Sequence, residues 1–261
     1  MIRSLWTART GLDAQQTNLD VISHNLANVS TSGYKRERVV FEDLLYQTLR
    51  QPGAQHTQQN EIGTGLQVGL GVRPIAVAKN FTQGTPQETN NDLDIMINGN
   101  GFLQIEMPDG SIAYTRAGSF SRDSQGNMVM SGTGYPLADG INLPQDAIRV
   151  NISNDGVVSV VVSGQAAPVQ VGTIQLAMFI NPDGLSNNSE NLYTETATSG
   201  PPNIVQPGTN SSGTLKQGWI ENSNVNVANE LVNMIITQRA YELNSKAVTT
   251  SDQMLGRLTQ M

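Results

Sequence analysis

The sequence predicts an α+β protein in which N- and C-terminal α-helices pair as a coiled coil, with a β-rich central domain inserted between them. Three observations predict it. Leucines recur every seven residues near the start, two apolar stripes run along the last stretch, and the middle is turn-rich with short β-branched runs.

The first helix rests on Leu5, Leu12, Leu19 and Leu26, with Ala8, Gln15 and Ile22 at the intervening positions. That is the spacing of a coiled-coil seam, with no proline inside it. Gly11 is its weak point, at about 1 kcal/mol against alanine. The pattern stops in the polar residues 28–33, where Gly33 is free to take positive φ.

Asp-Gly pairs at 109, 139, 155 and 183 mark turns between strand-like runs at 102–107, 112–116, 148–153, 157–163 and 173–180. Residues 148–163, folded at Asn154-Asp155-Gly156, read as a hairpin. Residues 187–213 are polar and rich in Pro and Gly, and read as irregular. Residues 47–65 form a long polar excursion before a strand pattern resumes over 66–77.

The last helix starts at a cap, Asn224 or Asn226, with Glu230 well placed in its first turn. One stripe is Val227, Leu231, Met234, Tyr241 and Val248. A second is Ile236, Ala240, Leu243, Ala247, Met254 and Leu258. Two stripes on one helix imply two neighbours. The domain division that follows is residues 1–30 with 224–261 as the helical part, 31–75 as a connector carrying the polar loop, and 76–223 as the β-rich part. One leucine seam against one partner falls short of the entropy of ordering so long a helix. The expectation is that both ends fold fully only as subunits stack, with Gln15 and Gln238 fixing register.

Composition narrows the function classes. The 261 residues carry net charge −7, only 14% are charged, and there are 25 Asn and 21 Gln. So weakly charged a surface suits packing against copies of itself, and an acidic chain lacks the clustered Lys and Arg that nucleic acid requires. There is no cysteine, hence no disulfide, thiol nucleophile or Cys-based zinc site. No run approaches the roughly 18 apolar residues that cross a bilayer. The start lacks the unbroken apolar core of a cleaved secretory signal, because Thr7, Arg9, Thr10 and Asp13 interrupt it.

Catalytic and metal chemistry finds no constellation. His24 and His56 have no second ligand at metal spacing, and no Gly-x-Ser-x-Gly elbow is present. Gly63, Gly65, Gly69 and Gly71 do not make a phosphate loop. Asp92 and Asp94 read as a solvated strand entrance, and Lys35-Arg36-Glu37-Arg38 as a mixed charged face. No catalytic residue, cofactor or metal is expected.

Three motifs in order nevertheless identify a family. Ala14-Gln15-Gln16, Leu19-Asp20, Ile22-Ser23, Asn25-Leu26-Ala27-Asn28-Val29 and Gly33-Tyr34-Lys35-Arg36 resemble the N-terminal signature of bacterial flagellar rod and hook proteins. Ser223-Asn224-Val225-Asn226-Val227, Glu230 to Ile235 and Gln238-Arg239-Ala240-Tyr241-Glu242 resemble that family's other end. Between them, Asp94-Ile95, Ile97, Gly99, Gly101-Phe102 and Tyr114-Thr115-Arg116, Gly118, Phe120 are similar to its shared β-domain motifs. Phe41 to Gln47, Arg50 to Gln55, Gly65 to Gly69 and Gly71 to Pro74 resemble a loop typical of the distal-rod branch. His24 stands where relatives generally have Asn, and Gly63 where many distal rods have Pro.

The resemblance implies a structural subunit that leaves through the flagellar type III export apparatus and assembles into a helical homopolymer. That polymer would be a rigid hollow drive shaft crossing the periplasm, joined to proximal rod subunits and hook protein at its ends and surrounded by ring proteins. Subunit contacts would fall on Leu5, Leu12, Leu19, Ile22, Leu26, Val227, Leu231, Met234, Tyr241, Leu243, Val248, Met254 and Leu258. Pro52, Gly53, Gly63 and Gly65 would belong to a rod-stiffening loop. Neither nucleic acid nor membrane insertion is implied. The competing readings are a hook or proximal-rod subunit, a secreted β-rich adhesin or phage-tail module, and an enzyme acting on cell-wall glycan.

Overall fold

The computed structural model describes residues 2–51, 55–57, 60–61, 64–163 and 167–259, and its architecture is the expected α+β one. The chain divides into two compact units. One comprises Met1–Ala27, Glu37–Ala78 and Asn226–Met261, the other Asn28–Arg36 and Lys79–Val225. Residues 28–36 thus group with the β-rich unit and 37–78 with the helices.

In the helical unit, helix α1 (Ile2–Ala27) packs along helix α2 (Val227–Thr259). α2 starts at Asn226, whose Oδ1 accepts from the Asn229 N–H and whose carbonyl accepts from Glu230 N–H. Such a cap satisfies donors that the first turn leaves unpaired. The α1–α2 seam is strongly polar. Asn18 Nδ2 donates to Thr237 Oγ1 at 3.0 Å, and Asn244 lies so close to Gly11 that an added Cβ would meet its Nδ2 at 3.0 Å. Gly11, costly for an isolated helix, lets the helices approach there. Ala14, Ile22, Asn25 and Thr237 are buried, whereas Leu5, Leu12, Leu19 and Leu26 are half-buried.

Asn25 ties α1 to the strand Glu37–Asp43 by imitating a neighbouring strand. Its Nδ2 donates to the Glu37 carbonyl at 2.8 Å, and its Oδ1 accepts from the Glu37 N–H at 2.9 Å. Glu37–Asp43 in turn pairs with Val72–Lys79. Tyr46–Arg50 and Leu66–Gly69 form an antiparallel arm. The strand pattern expected over 66–77 breaks at Leu70-Gly71. There Gly71 sits at φ +127°, its carbonyl accepts from Leu44 N–H, and Thr10 leaves no room for a Cβ.

The β-rich unit has one main core of Ile95, Ile97, Leu103, Ile105, Phe120, Met128, Ile141, Val158, Val160, Ile174, Leu176 and Leu215 with their neighbours. Its largest sheet has the order Ser186–Asn187, Leu192–Thr194, Ile112–Thr115, Leu103–Glu106. Ala147–Ile152 and Val157–Val162 form the expected hairpin, with Gly156 at φ +85° in the turn, and Val169–Thr173 adds a third strand. Four further antiparallel pairs complete the unit: Phe120–Arg122 with Met128–Met130, Leu176–Met178 with Asn203–Val205, Ile95–Asn98 with Thr214–Gln217, and Pro86–Glu88 with Trp219–Glu221. A second cluster packs Phe102, Tyr114, Ala177 and Tyr193 with Phe81 and Phe179, ring centroids lying 4.8–5.9 Å apart edge to face.

Two sequence expectations are corrected here. Residues 173–180 are not one strand. Ile174 turns its N–H to the Gly156 carbonyl, and Gln175 N–H goes to Asp139 Oδ2 at 3.0 Å, which breaks the run. Residues 187–213 are not irregular throughout, for they hold Leu192–Thr194 and Asn203–Val205.

Asp139 adds a pH dependence. Burial pushes its carboxyl from 3.8 up to about 6, against the opposing pull of the Gln175 N–H. The folded unit therefore holds a proton that the unfolded chain releases near 3.8. Stability from this group is full below that value and is lost as pH rises towards 6. Asp139→Asn keeps the acceptor and removes the charge. After allowance for solvent screening at a partly exposed group, the expected gain is roughly 2–4 °C in Tm at pH 7, with none at pH 3.5. Calorimetry at the two pH values checks it; equal shifts at both would refute the assignment.

Candidate assembly surfaces

α2 presents two different faces. Toward α1 lie Glu230, Met234, Thr237, Asn244 and Val248, all buried or half-buried, with Tyr241 at the margin. Away from it stand Val232, Ile235 (58% exposed), Ile236 (61%), Leu243 (69%) and Met254. Val227 and Leu231 are exposed as well. The first sequence stripe is therefore split between the two faces, and the described part of the second stripe that carries Ile236, Leu243 and Met254 is uncovered. Gln238 is exposed, so the polar contacts of the seam come from Asn18, Thr237 and Asn244 instead.

The arm is the other apolar surface of the helical unit. Leu45, Tyr46, Leu49 and Leu66 stand exposed on and beside it, and Tyr46 hydroxyl hydrogen-bonds the Asp43 carboxylate, which raises the phenol above its ordinary range. Gly65 is exposed immediately before Leu66–Gly69. Pro52, Gly53 and Gly63 lie outside the described residues, as does the side chain of Leu258.

Sequence reasoning missed a charged cluster inside the β-rich unit. Lys35, read as part of a charged face, is fully buried. Its Nζ donates to Glu221 Oε1 at 2.6 Å and to the Thr82 carbonyl at 2.9 Å. Glu221 Oε1 also accepts from Gly84 N–H at 2.7 Å, at a glycine where a Cβ would strike the Asn222 carbonyl. Arg116 reaches Glu221 Oε2 at 3.5 Å and donates to the Gly99 carbonyl at 2.8 Å, with its guanidinium over Phe102. Burial pulls Lys35 and Arg116 below their ordinary pKa values, and the Glu221 carboxylate opposes it.

The cluster also joins the chain segments that lead into the two helices. Gly33 N–H donates to the Glu221 carbonyl at 2.7 Å. Asn224 accepts from Arg36 N–H at 2.7 Å and donates to the carbonyls of Asn80 and Thr82. The usable signal was the isolated acid Glu221 between Ile220 and polar asparagines. Its partner is 186 residues away, beyond any local pattern.

Asp94 is corrected likewise. It is buried, accepting from Thr89 Oγ1 and Asn91 Nδ2 in a local turn, not a solvated carboxylate beside Asp92. Among the described residues no group of three or more His, Asp or Glu is placed to hold a metal. No helix among them is long and apolar enough to cross a membrane.

Paired terminal helices around an inserted β-rich unit, with apolar side chains exposed on α2, define an α+β class of protein with faces suited to assembly. Three family models match in order along the chain: "Flagella basal body rod protein" over residues 5–35, "Flagellar hook protein FlgE/F/G D1 domain" over 96–160, and "Flagellar basal body rod FlgEFG protein C-terminal" over 216–261. Full-length relatives narrow this further. The chain is 54% identical over all 261 residues to "Flagellar basal-body rod protein FlgG" of Buchnera aphidicola subsp. Schizaphis graminum, covering 100% of both chains. It is 45% identical to the protein of that name in Caulobacter vibrioides (100% of this chain, 99% of the relative) and 38% to that in Bacillus subtilis (100% and 99%). The chain belongs to the FlgG family of flagellar basal-body rod proteins, structural components of the flagellum.

Proposed function

We propose that this chain is a distal-rod subunit that polymerises helically with copies of itself into a stiff, hollow shaft passing torque to the hook. The observation that carries it is the uncovered stripe of α2, where Ile235, Ile236, Leu243 and Met254 each stand more than half exposed. Burying each such side chain yields about 1.5–3 kcal/mol, and head-to-tail contacts that do not close give an open helical filament. Leu5, Leu12, Leu19 and Leu26, half-buried in the single chain, supply the complementary seam on α1, whereas Ile22 is already buried within the chain. Proximal rod subunits and hook protein would take the two ends, ring proteins the outside, and the type III apparatus its export. Its role is structural, not enzymatic.

The helix pair supports conditional folding, since amides and half-buried leucines hold it in one chain. Circular dichroism of monomer against polymer tests this. Helix content should rise on assembly, and limited digestion of the monomer should remove both ends and leave the β-rich unit. Equal helix content in both states would end the idea.

The arm around residues 47–71 is the segment proposed to stiffen the shaft, its exposed Leu45, Tyr46, Leu49 and Leu66 being placed to clasp adjoining copies. Deleting residues 47–65 should give filaments that curve visibly in electron micrographs. An unchanged bending rigidity would count against the arm.

A further inference from the structure

The β-rich unit contains a socket that the family reading leaves unused. A cavity of about 250 Å³ opens between Phe81, Phe102, Met178 and Phe179, with Ile180 on its rim, 95% exposed. Arg116 forms part of its wall. That side chain is 3% exposed, and its Nε has no hydrogen-bond partner among the described residues. A buried guanidinium nitrogen without an acceptor is costly. The local charge is also unbalanced, for Lys35 and Arg116 face Glu221 alone among the described ion pairs of this cluster. Apolar walls over surplus positive charge suit an apolar side chain that arrives with a carboxylate close by.

A neighbouring copy offers such a group. Ile148 is 72% exposed at a register shift in the strand Ala147–Ile152, and Asp146 stands two residues before it, just outside the strand. The Asp146 carboxylate makes no hydrogen bond or ion pair among the described residues. Leu45, at 83% exposure with Asp43 two residues before it, is the rival, but Asp43 already holds the Tyr46 hydroxyl. We infer that the Phe81–Phe102–Phe179 socket receives Ile148 of a second copy, with Asp146 offsetting the surplus charge behind Arg116. This inference rests on the assembly reading and adds a contact between β-rich units to it.

A chain without cysteine makes the test direct. Ile148→Cys and Ile180→Cys, each a single substitution at an exposed residue, are expressed together in cells that build the rod, then oxidised with copper phenanthroline. A disulfide-linked dimer containing one of each variant is expected, and neither variant alone should give it. Adding Asp146→Lys to the Ile148→Cys chain should lower the yield about tenfold, as facing like charges oppose docking. Rods that form without this cross-link, or that link Ile180→Cys to Leu45→Cys instead, overturn the socket and leave assembly standing. If the unsubstituted chain gives no rods, the assembly reading fails first and the socket with it.

Discussion

Glu221→Ala is expected to lower the melting temperature of the β-rich unit by roughly 6–20 °C. The substitution leaves Lys35 and Arg116 buried with no anion beside them. Breaking a buried pair by removing one partner costs about 3–5 kcal/mol, and each kcal/mol moves a unit of this size by roughly 2–4 °C. Gly84 N–H loses its acceptor at the same time. Lys35→Met makes the informative contrast. It removes a charge whose burial is unfavourable and leaves Glu221 facing Arg116, so its loss should be far smaller. Calorimetry of both variants checks this, and equal losses would mean that unbalanced charge is not what the cluster resists.

The second large effect concerns α2. Ile236→Asp together with Leu243→Asp should abolish filaments in negative-stain electron micrographs and stop motility, while the monomer keeps its β-rich unit intact by near-ultraviolet dichroism. Both side chains are more than half exposed, so the lone chain loses little. In the polymer each carboxylate would be taken from water without a partner, which is several times costlier than losing the apolar contact. Normal rods from this variant would place the assembly seam elsewhere, on α1 or the arm.

Legibility in the sequence followed the range of the interaction. α1 and α2 were legible because each carries its own period over many turns, and the 148–163 hairpin because Asn154-Asp155-Gly156 fixes a local turn. Residues 192–194 and 203–205 were not. Strands of three residues carry no usable alternation, and they are strands only because Ile112–Thr115 and Leu176–Met178 lie beside them. The heptad leucines were visible, but the amide seam was not. Asn18 and Thr237 look like solvated residues until two distant helices meet. Lys35 shows the same limit most sharply. Four charged residues in a row read as surface, and only Glu221 and the Thr82 carbonyl make burial of one of them tolerable.

The cluster also bears on how a subunit responds to force. The outgoing chain at Gly33–Arg36 and the returning chain at Glu221–Asn224 are bonded to each other and to residues 80–84. Prising the two tails apart would have to rupture a backbone bond, a dry ion pair and an amide bridge at once. In the proposed shaft, twisting at this point would load all three fastenings at once.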